Sequence, residues 1–340
     1  MSSASAERAK VTAPGKTRSG KELIRASTAF ASENRALSWW YLASTLAIFA
    51  GLLAVAAMAP FWPLRFAAGV VEGLVFVRLF ILYHDFLHGA ILKGSPLAKA
   101  VMYGYGAVSL NPPRVWRETH NYHHANTAKI VGSHVGSYAM VTPDLWRRMS
   151  KRERLLYRLQ RHPLTMLFGY ASIFIYGMCL SSLIRNPRRN WSSALALLVH
   201  VSLLFAVIAF AGIDVFFFAM FLPQFVASAL GAYLFYAQHN FPGIHIQPRE
   251  HWSYTRAALE SSSYMKLGPI MNWFTGNIGY HHVHHLNPRI PFYRLPEAMA
   301  AIPELQTPRM TRLRLKDIRA CFSLKLWDPA KQCMVGYPAD

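Results

Sequence analysis

The chain has 340 residues, of which 53% are apolar and only 15% are charged, against roughly 25% charged residues in soluble proteins. The remaining charge is strongly basic, with 36 Lys and Arg against 16 Asp and Glu. A basic chain can bind nucleic acid or an anionic membrane face. The long apolar runs of this chain favour a membrane protein. The three cysteines form no Cys-x-x-Cys pair, which argues against a thiolate metal site and a disulfide framework.

The first 35 residues are polar and rich in Ser, Ala, Lys and Arg. They contain no apolar stretch followed by a small-residue cleavage site, so a secretory signal peptide is not expected. We predict a mobile N-terminal tail over residues 1–35.

Four apolar runs are long enough to cross a membrane, since about 20 residues at about 1.5 Å each reach across a hydrocarbon layer of about 30 Å. They form two predicted hairpins, Trp39–Pro60 with Phe66–Tyr83 and Ser193–Ala211 with Val215–Tyr236. The second of these runs contains Glu72 and Arg78. Because charged side chains are costly in lipid, both should face other helices or a cavity.

Two further apolar runs are not assigned as spans. Leu97–Leu110 is short and is followed by two prolines, so we predict a re-entrant or surface-lying segment. Leu164–Leu183 is long enough to cross, but a fifth crossing would place the last histidine cluster on the opposite side from the first two. Arginines follow this run within residues 185–189, and basic loops stay cytoplasmic. We therefore predict that this run lies along the membrane.

The distribution of Lys and Arg supports this four-span arrangement. Residues 1–38 hold 7 of them, residues 84–192 hold 15 and residues 237–340 hold 12, which places 34 of the 36 on one face. The positive-inside rule makes that face cytoplasmic. Both termini and every histidine cluster are therefore predicted to be cytoplasmic.

Histidines on the predicted cytoplasmic face occur in clusters with helical spacing. The members of each cluster therefore share one side of a helix. The clusters are His84 with His88, His120 with His123 and His124, and His281 with His284 and His285; His239 follows the last predicted span at the same depth. His282 should point away from its neighbours. We predict structural roles for His134, His162, His200, His245 and His251. Asp85 is either a carboxylate that orients an imidazole or an ordinary acid at a helix end.

Neutral imidazole binds iron, copper, zinc and nickel. Eight clustered imidazoles are too many for one tetrahedral zinc, and two metal ions are the economical count. Hydrolysis at zinc would need a general base such as the Glu of His-Glu-x-x-His, and the sequence has no such motif. An imidazole-rich site with open positions can bind oxygen instead, and beside a membrane its natural substrate is apolar.

At these residues the chain resembles the membrane fatty acid desaturase family, most closely its bacterial acyl-lipid desaturases, from about residue 65 to residue 296. The motifs that carry the resemblance are His84-x-x-x-His88, Trp116-Arg117-x-x-His120-x-x-His123-His124 and Gly279-Tyr280-His281-His282-Val283-His284-His285-Leu286-Asn287-Pro288. One departure is Phe235, four residues before His239, where some relatives carry an Asn that holds a metal-bound water. Asn277 or Asn240 could substitute for it.

The resemblance implies a non-haem site of two iron ions, with O2 as co-substrate and an acyl lipid or fatty acyl chain as substrate. The iron ligands it implies are His84, His88, His120, His123, His124, His239, His281, His284 and His285, with no catalytic side chain beyond them. Electrons are expected from a separate donor of ferredoxin or cytochrome b5 type, and the expected location is a bacterial inner membrane.

The expected fold is an all-α integral membrane protein with four transmembrane helices in two hairpins, surface-lying helices and a cytoplasmic histidine-rich cap. Residues 36–300 are predicted to form the membrane domain with the metal site, and residues 301–340 a cytoplasmic tail beneath it.

Two other functions stay open at this point. The first is a hydroxylase or ketolase with the same iron site, acting on a carotenoid or another apolar lipid, because His84-Asp85-x-x-His88-Gly89 is similar in carotenoid ketolases. The second is a membrane metal-binding or transport protein, which should place its ligands near the bilayer midplane. New double bonds in acyl chains, oxygenated pigments, or metal binding without O2 consumption would distinguish the three.

Overall fold

The computed structural model describes residues 18–132 and 135–338, so the predicted structural role of His134 lies outside the described residues. In chain order the first α-helices are α1 (Gly20–Ser27), α2 (Arg35–Met58), α3 (Trp62–His88), α4 (Pro96–Val108), α5 (Pro113–Asn126), α6 (Pro143–Arg148), α7 (Lys151–Gln160), α8 (Pro163–Leu167) and α9 (Ser181–Arg185). They are followed by α10 (Trp191–Ala211), α11 (Ile213–Phe216), α12 (Leu222–His239), α13 (Tyr254–Glu260), α14 (Gly268–Phe274), α15 (His281–Leu286), α16 (Leu295–Ala301) and α17 (Leu315–Ser323).

Short segments complete the chain. Tyr170–Leu180 and Phe217–Phe221 are π-helical, and single 3₁₀ turns occur at Thr28–Phe30, Arg249–His251, Phe292–Arg294 and Pro303–Leu305. Strand β1 (Tyr264–Lys266) pairs in parallel with β2 (Met310–Arg312), and β3 (Leu326–Asp328) pairs antiparallel with β4 (Cys333–Val335). These two small sheets were not predicted, but the expected helical membrane fold is confirmed.

Among the described residues, four helical segments are long and apolar enough to cross a membrane: α2, α3, α10 and the stretch Ile213–His239, which runs through α11, the π turn and α12. They match the four predicted spans. Helix α3 continues past the predicted end at Tyr83 to His88, where Gly89 closes it in the left-handed conformation with φ of 70°. This extra length carries two histidines beyond the apolar part of the helix.

The two hairpins pack against each other through α3 and α12, and glycines permit the close approach. A Cβ atom at Gly69 would lie 2.4 Å from the carbonyl oxygen of Phe218. One at Gly73 would lie 2.7 Å from Cβ of Val226 and 2.8 Å from the carbonyl oxygen of Pro223. Small residues at such positions let membrane helices approach closely, so these glycines set the separation of the helices that carry His84 and His239.

The run Leu164–Leu183 does not form one continuous α-helix. It consists of α8, the π-helical stretch Tyr170–Leu180 and the start of α9, and it packs against α12, where a Cβ at Gly169 would lie 3.0 Å from the carbonyl oxygen of Ser228. Its placement along the membrane surface stays a prediction. The other unassigned run, Leu97–Leu110, forms α4, whose Val108 carbonyl accepts a hydrogen bond of 2.8 Å from Nδ1 of His200 in α10.

The N-terminal segment is packed where it is described. Helix α1 buries Leu23 completely, and Oγ of Ser27 accepts a hydrogen bond of 3.0 Å from Nδ2 of Asn287, just after α15. Arg18 forms an ion pair of 2.9 Å with Glu304. Residues 18–35 thus differ from the expected tail because a small apolar surface of α1 has a partner on the cap; residues 1–17 lie outside the described residues.

The C-terminal segment packs against the end of α12. The Phe322 ring stacks on Tyr236 at 5.3 Å between centroids. Nδ2 of Asn240 donates hydrogen bonds to the carbonyl oxygens of Cys321 and Leu324. This segment therefore supports the helix end that presents His239.

We expect Gly73→Leu to destabilise the protein by about 1–3 kcal/mol, the usual cost of overpacking a close contact, because the new side chain would push α3 away from α12. Thermal unfolding of the detergent-solubilised protein, together with its metal content, measures the effect. Gly51→Leu in α2 is the matched control, since a Cβ at Gly51 meets nothing within 4 Å. Equal unfolding temperatures for the two variants would show that the approach of α3 to α12 does not depend on Gly73.

Candidate metal centre

Four segments bring nine histidines together at one end of the spans. The C-terminal turns of α3 carry His84 and His88, and the end of α12 carries His239. The remaining six lie on two short helices, namely His120, His123 and His124 on α5 and His281, His284 and His285 on α15. The structure therefore assembles every histidine of the predicted ligand set, from positions as far apart as 84 and 285.

The approach to α15 depends on two glycines. Gly276 has a φ of 49°, and a Cβ there would lie 2.7 Å from Cγ2 of Ile81 in α3. A Cβ at Gly279 would lie 2.4 Å from the carbonyl oxygen of Met265 in β1, whose own N–H donates 2.7 Å to the carbonyl oxygen of Gly279. Side chains at these positions would keep α15 from its place between β1 and α3.

The nine histidines form two groups, each with its candidate ligand atoms within 4.8 Å of one another. The five-histidine group is His84, His88, His120, His124 and His284, and the four-histidine group is His123, His239, His281 and His285. Helices α5 and α15 each contribute to both groups. The groups are neighbours, since the rings of His124 and His285 stack at 4.2 Å between centroids.

The Nε2 atoms converge within each group. Nε2 of His120 lies 3.1 Å from Nε2 of His84 and 3.1 Å from Nε2 of His124. In the other group, Nε2 of His239 lies 3.0 Å from that of His123 and 2.9 Å from that of His281. Two nitrogens bound at right angles to one ion at about 2.1 Å lie about 3 Å apart, so these separations suit a shared metal ion.

Hydrogen bonds on the other ring nitrogen define the tautomers. Nδ1 of His84 lies 2.9 Å from Oδ1 of Asp85, and Nδ1 of His239 lies 3.2 Å from the carbonyl oxygen of Ser261. Because these oxygens accept, Nδ1 carries the proton and Nε2 keeps its lone pair. A lone pair about 3 Å from Nε2 of a neighbouring ring needs either a proton on that ring's nitrogen or a cation shared by both nitrogens.

The same argument applies to His285 through Thr127. The Thr127 hydroxyl donates to the carbonyl oxygen of His123 at 2.8 Å, so its oxygen accepts from Nδ1 of His285 at 3.3 Å. Nε2 of His285 is then a buried lone pair, and it has no hydrogen-bond partner among the described residues. Nε2 of His88 is buried and unpartnered in the same way. Buried polar atoms are normally satisfied, so both orphan nitrogens fit ligands of a metal ion.

Burial lowers the pKa values of the imidazoles on α5 and α15 well below their usual range, and neighbouring imidazoles lower them further. This holds for His120, His123, His124, His281, His284 and His285. Desolvation disfavours the charged ring. These histidines are therefore neutral near pH 7, the form that binds metal.

Asp85 joins the site to the chain that follows α15. Its Oδ1 accepts from His84, and its Oδ2 accepts a 2.7 Å hydrogen bond from the backbone N–H of Phe292. The carboxylate thus holds one imidazole while its own position is held by the backbone. Of the two predicted roles for Asp85, the structure supports the first, in which the carboxylate orients the imidazole of His84.

Phe235 lies beside the four-histidine group, with its ring centroid 5.0 Å from that of His123 and 5.7 Å from that of His239. The suggestion that Asn240 or Asn277 replaces the missing amide is wrong. The Asn240 side chain binds Arg161 and the carbonyl oxygens near the end of the chain. Nδ2 of Asn277 donates to the carbonyl oxygen of Phe292. The Phe235 ring therefore occupies the position at which some relatives have an Asn side chain.

Several supporting residues were missed from the sequence. Trp116 stacks on His120 with centroids 4.3 Å apart; its spacing of four residues from His120 could have revealed it. The Trp252 indole N–H donates 2.9 Å to the carbonyl oxygen of Thr127, and the Tyr254 hydroxyl donates 2.6 Å to that of His285. No local pattern marked Thr127, Trp252 or Tyr254.

The remaining described histidines lie outside both groups. Nε2 of His282 donates 3.2 Å to the carbonyl oxygen of Leu305, so this ring points away as predicted. His162 accepts from the backbone N–H of Leu164, and His245 contacts Glu260 and Gln332. These contacts agree with structural roles.

Four apolar helices, two of which end in a buried site able to hold metal ions, are typical of a helical membrane metalloprotein. The family described as "Fatty acid desaturase" matches residues 60–314 of this chain. A fatty acid desaturase of Bacillus subtilis is 30% identical over 322 residues, which cover 94% of this chain and 91% of the relative. The chain belongs to the fatty acid desaturase family and is an oxidoreductase.

Two further relatives have more specific names. The sn-1 acyl-lipid omega-3 desaturase (ferredoxin) of Synechocystis sp. is 25% identical over 292 residues, covering 79% of this chain and 75% of the relative. The acyl-lipid omega-3 desaturase (cytochrome b5) of the endoplasmic reticulum of Arabidopsis thaliana is 26% identical over 259 residues, covering 71% of this chain and 63% of the relative. All three relatives are named as desaturases, which favours this class over the ketolase and transport alternatives.

We expect His284→Ala to lose most of the metal that the purified protein retains, because it removes a donor nitrogen from the five-histidine group. Elemental analysis of protein purified after growth with iron measures this. His282→Gln is the matched control, since it changes a buried neighbour on the same helix and keeps a donor for the Leu305 carbonyl. Metal retained equally by both variants would contradict the assignment of His284.

We expect Asp85→Asn to lower metal affinity about 10–100-fold, the usual effect of changing the group that orients a ligand histidine. The amide can still accept from the Phe292 N–H, but it no longer supplies a carboxylate to the ring of His84. Competition with a chelator of known affinity measures the change. An unchanged affinity would mean that Asp85 supports the fold alone.

Proposed function

We propose that this protein is an acyl-lipid desaturase in which the nine histidines hold two iron ions and O2 is the co-substrate. The proposal rests chiefly on the two convergent sets of buried, neutral imidazoles. Family membership supports the choice of metal, because the desaturase family is iron-dependent. Bound iron would supply O2-dependent oxidation of an unactivated C–H bond, which no side chain of the protein can carry out.

The chain's own groups position the ligands and exclude water. Asp85, Thr127 and the Ser261 carbonyl occupy the Nδ1 side of three imidazoles, which fixes the direction of the opposite nitrogens. Trp116 and Phe235 add apolar walls next to the rings. A site with such walls favours an acyl chain over a polar substrate.

We infer a substrate that reaches the site from the membrane. Phe216, Phe217, Phe225 and Tyr233 on the last span are candidates for lining an acyl tunnel, although helix packing is the simpler role. Phe217, Phe221 and Phe225 form successive ring contacts of 5.9 and 6.0 Å along the last span, which is helix packing. Tyr233 is buried beside Phe322, and its hydroxyl has no partner among the described residues.

We propose that both termini and the histidine groups face the cytoplasm of a bacterial cell, with the spans in the inner membrane. The concentration of Lys and Arg on the histidine side supports this orientation. Electrons would come from a separate donor of the ferredoxin or cytochrome b5 type, because relatives named for each of these donors match the chain. O2 and the reduced donor would then both be supplied from the cytoplasm.

We expect bacterial cells that express this chain to contain new double bonds in their membrane acyl chains, and cells that express His284→Ala to lack them. Gas chromatography–mass spectrometry of fatty acid methyl esters measures both and gives the double-bond position. His282→Gln, checked for equal protein level, should keep activity. If cells that express the native protein and cells that express His284→Ala contain identical acyl chains, the desaturase assignment is contradicted.

A further inference from the structure

A cavity of about 380 Å³ lies beside the histidine groups, between the start of α2, the middle of α3 and the segments around α14 and α15. Its walls include Tyr41, Arg78, Asn272, Trp273 and Tyr280. The volume is in the range of about 300–1,000 Å³ that is usual for ligand sites. Tyr280 directly precedes His281, so a ligand in this cavity lies close to the metal centre.

Arg78 places a buried positive charge in the wall of this cavity. Its residue is only 3% exposed, and its guanidinium carbon lies 4.4 Å from the ring centre of Trp273 and 5.5 Å from those of Tyr41 and Phe292. Among the described residues no Asp or Glu forms an ion pair with it. A buried charge without a counter-charge is costly, and inside a membrane span it indicates a functional site.

The guanidinium also keeps unused hydrogen-bond donors. Nε donates 3.2 Å to Oγ1 of Thr45, and Nη1 donates to the carbonyl oxygen of Trp273. Of about five N–H groups on an Arg side chain, the others have no acceptor among the residues that the structure describes. These free donors and the missing counter-charge both fit an oxyanion, which a planar guanidinium can bind at two points.

Asn272 lines the same cavity, and the oxygen of its side chain lacks a hydrogen-bond partner within the described ranges. This Oδ1 atom is buried. It would accept from a hydroxyl or ammonium group. A ligand that carries both an oxyanion and a nearby donor, such as the headgroup of phosphatidylglycerol or phosphatidylethanolamine, would satisfy Arg78 and Asn272 together.

The surroundings of the cavity favour a membrane lipid over a soluble ligand. Helix α14 forms one wall and exposes Ile270 to 72% and Trp273 to 39%; exposed apolar and indole side chains are typical of the membrane interface. Arg78 lies six residues before His84 on α3, about 9 Å along the helix. An acyl chain of a lipid whose headgroup is held here would have to run back along α3 to reach the histidine groups.

We propose that this cavity binds the phosphate-bearing headgroup of a membrane phospholipid through Arg78 and Asn272. That this phospholipid is the substrate rests on the proposed desaturase function; the binding itself does not. Arg78 then recognises the phosphodiester, the aromatic walls shield the pair from water, and specificity for acyl chains carried by a phospholipid follows from this contact.

The test measures phospholipid binding to the metal-loaded, full-length protein in detergent, without O2 or reductant. Native mass spectrometry would follow phosphatidylglycerol, diacylglycerol with the same acyl chains, and free fatty acid. The native protein should bind phosphatidylglycerol at least tenfold more tightly than either of the others. Arg78→Gln should lose at least tenfold of that affinity, and Asn272→Ala a smaller, severalfold amount.

Arg65→Gln is the matched control, because Arg65 lies on the same helix outside this cavity and donates to the carbonyl oxygen of Ala56. It should bind phosphatidylglycerol as the native protein does. If Arg78→Gln fails to fold or to hold metal, Asn272→Ala provides the test. A lower affinity for phosphatidylglycerol in Asn272→Ala would support the proposal, and an unchanged affinity would contradict it. Equal binding of phosphatidylglycerol and diacylglycerol, or displacement by fatty acid at equal concentration, would overturn the proposal. Phospholipid binding without any desaturation would instead overturn the proposed function alone.

Discussion

The structure depends on one electrostatic constraint, which is the convergence of unprotonated imidazole nitrogens in a buried space. Nε2 atoms that lie about 3 Å apart repel each other as long as both carry lone pairs. Burial also disfavours their protonation, so charge on the rings does not relieve the repulsion. A cation shared by these nitrogens would relieve it, and its binding would add to the stability of the fold.

The scaffold around the site holds these nitrogens in place. Gly279 lets β1 lie directly against the start of α15, and Asn240 connects the end of α12 to the C-terminal segment through two carbonyl oxygens. Helix α1 reaches the other end of α15 through Ser27. Segments from both ends of the described chain therefore support the short helix that supplies three ligands, which explains why these terminal segments are packed.

The features that could be predicted from the sequence are those written in local patterns. Apolar length predicted the four spans, helical spacing predicted eight of the nine histidines, and the position of His239 after the last span predicted the ninth. The division of the histidines into two groups could not be predicted, because it depends on how α5 and α15 are rotated against each other. The contacts of Asn240 could not be predicted either, because its partner Cys321 lies 81 positions away in the sequence. The packing of Leu23 depends in the same way on a surface formed by distant parts of the chain.

The sharing of α5 and α15 between the two histidine groups would link the two proposed ions thermodynamically. A displacement of either short helix that improves the donors around one ion also moves donors of the other. The two proposed ions would then not bind independently, and each would change the affinity for its neighbour by the same factor. Where one position of the shared helices suits both sets of donors, partly loaded protein would be scarce and the proposed site would tend to be either complete or empty.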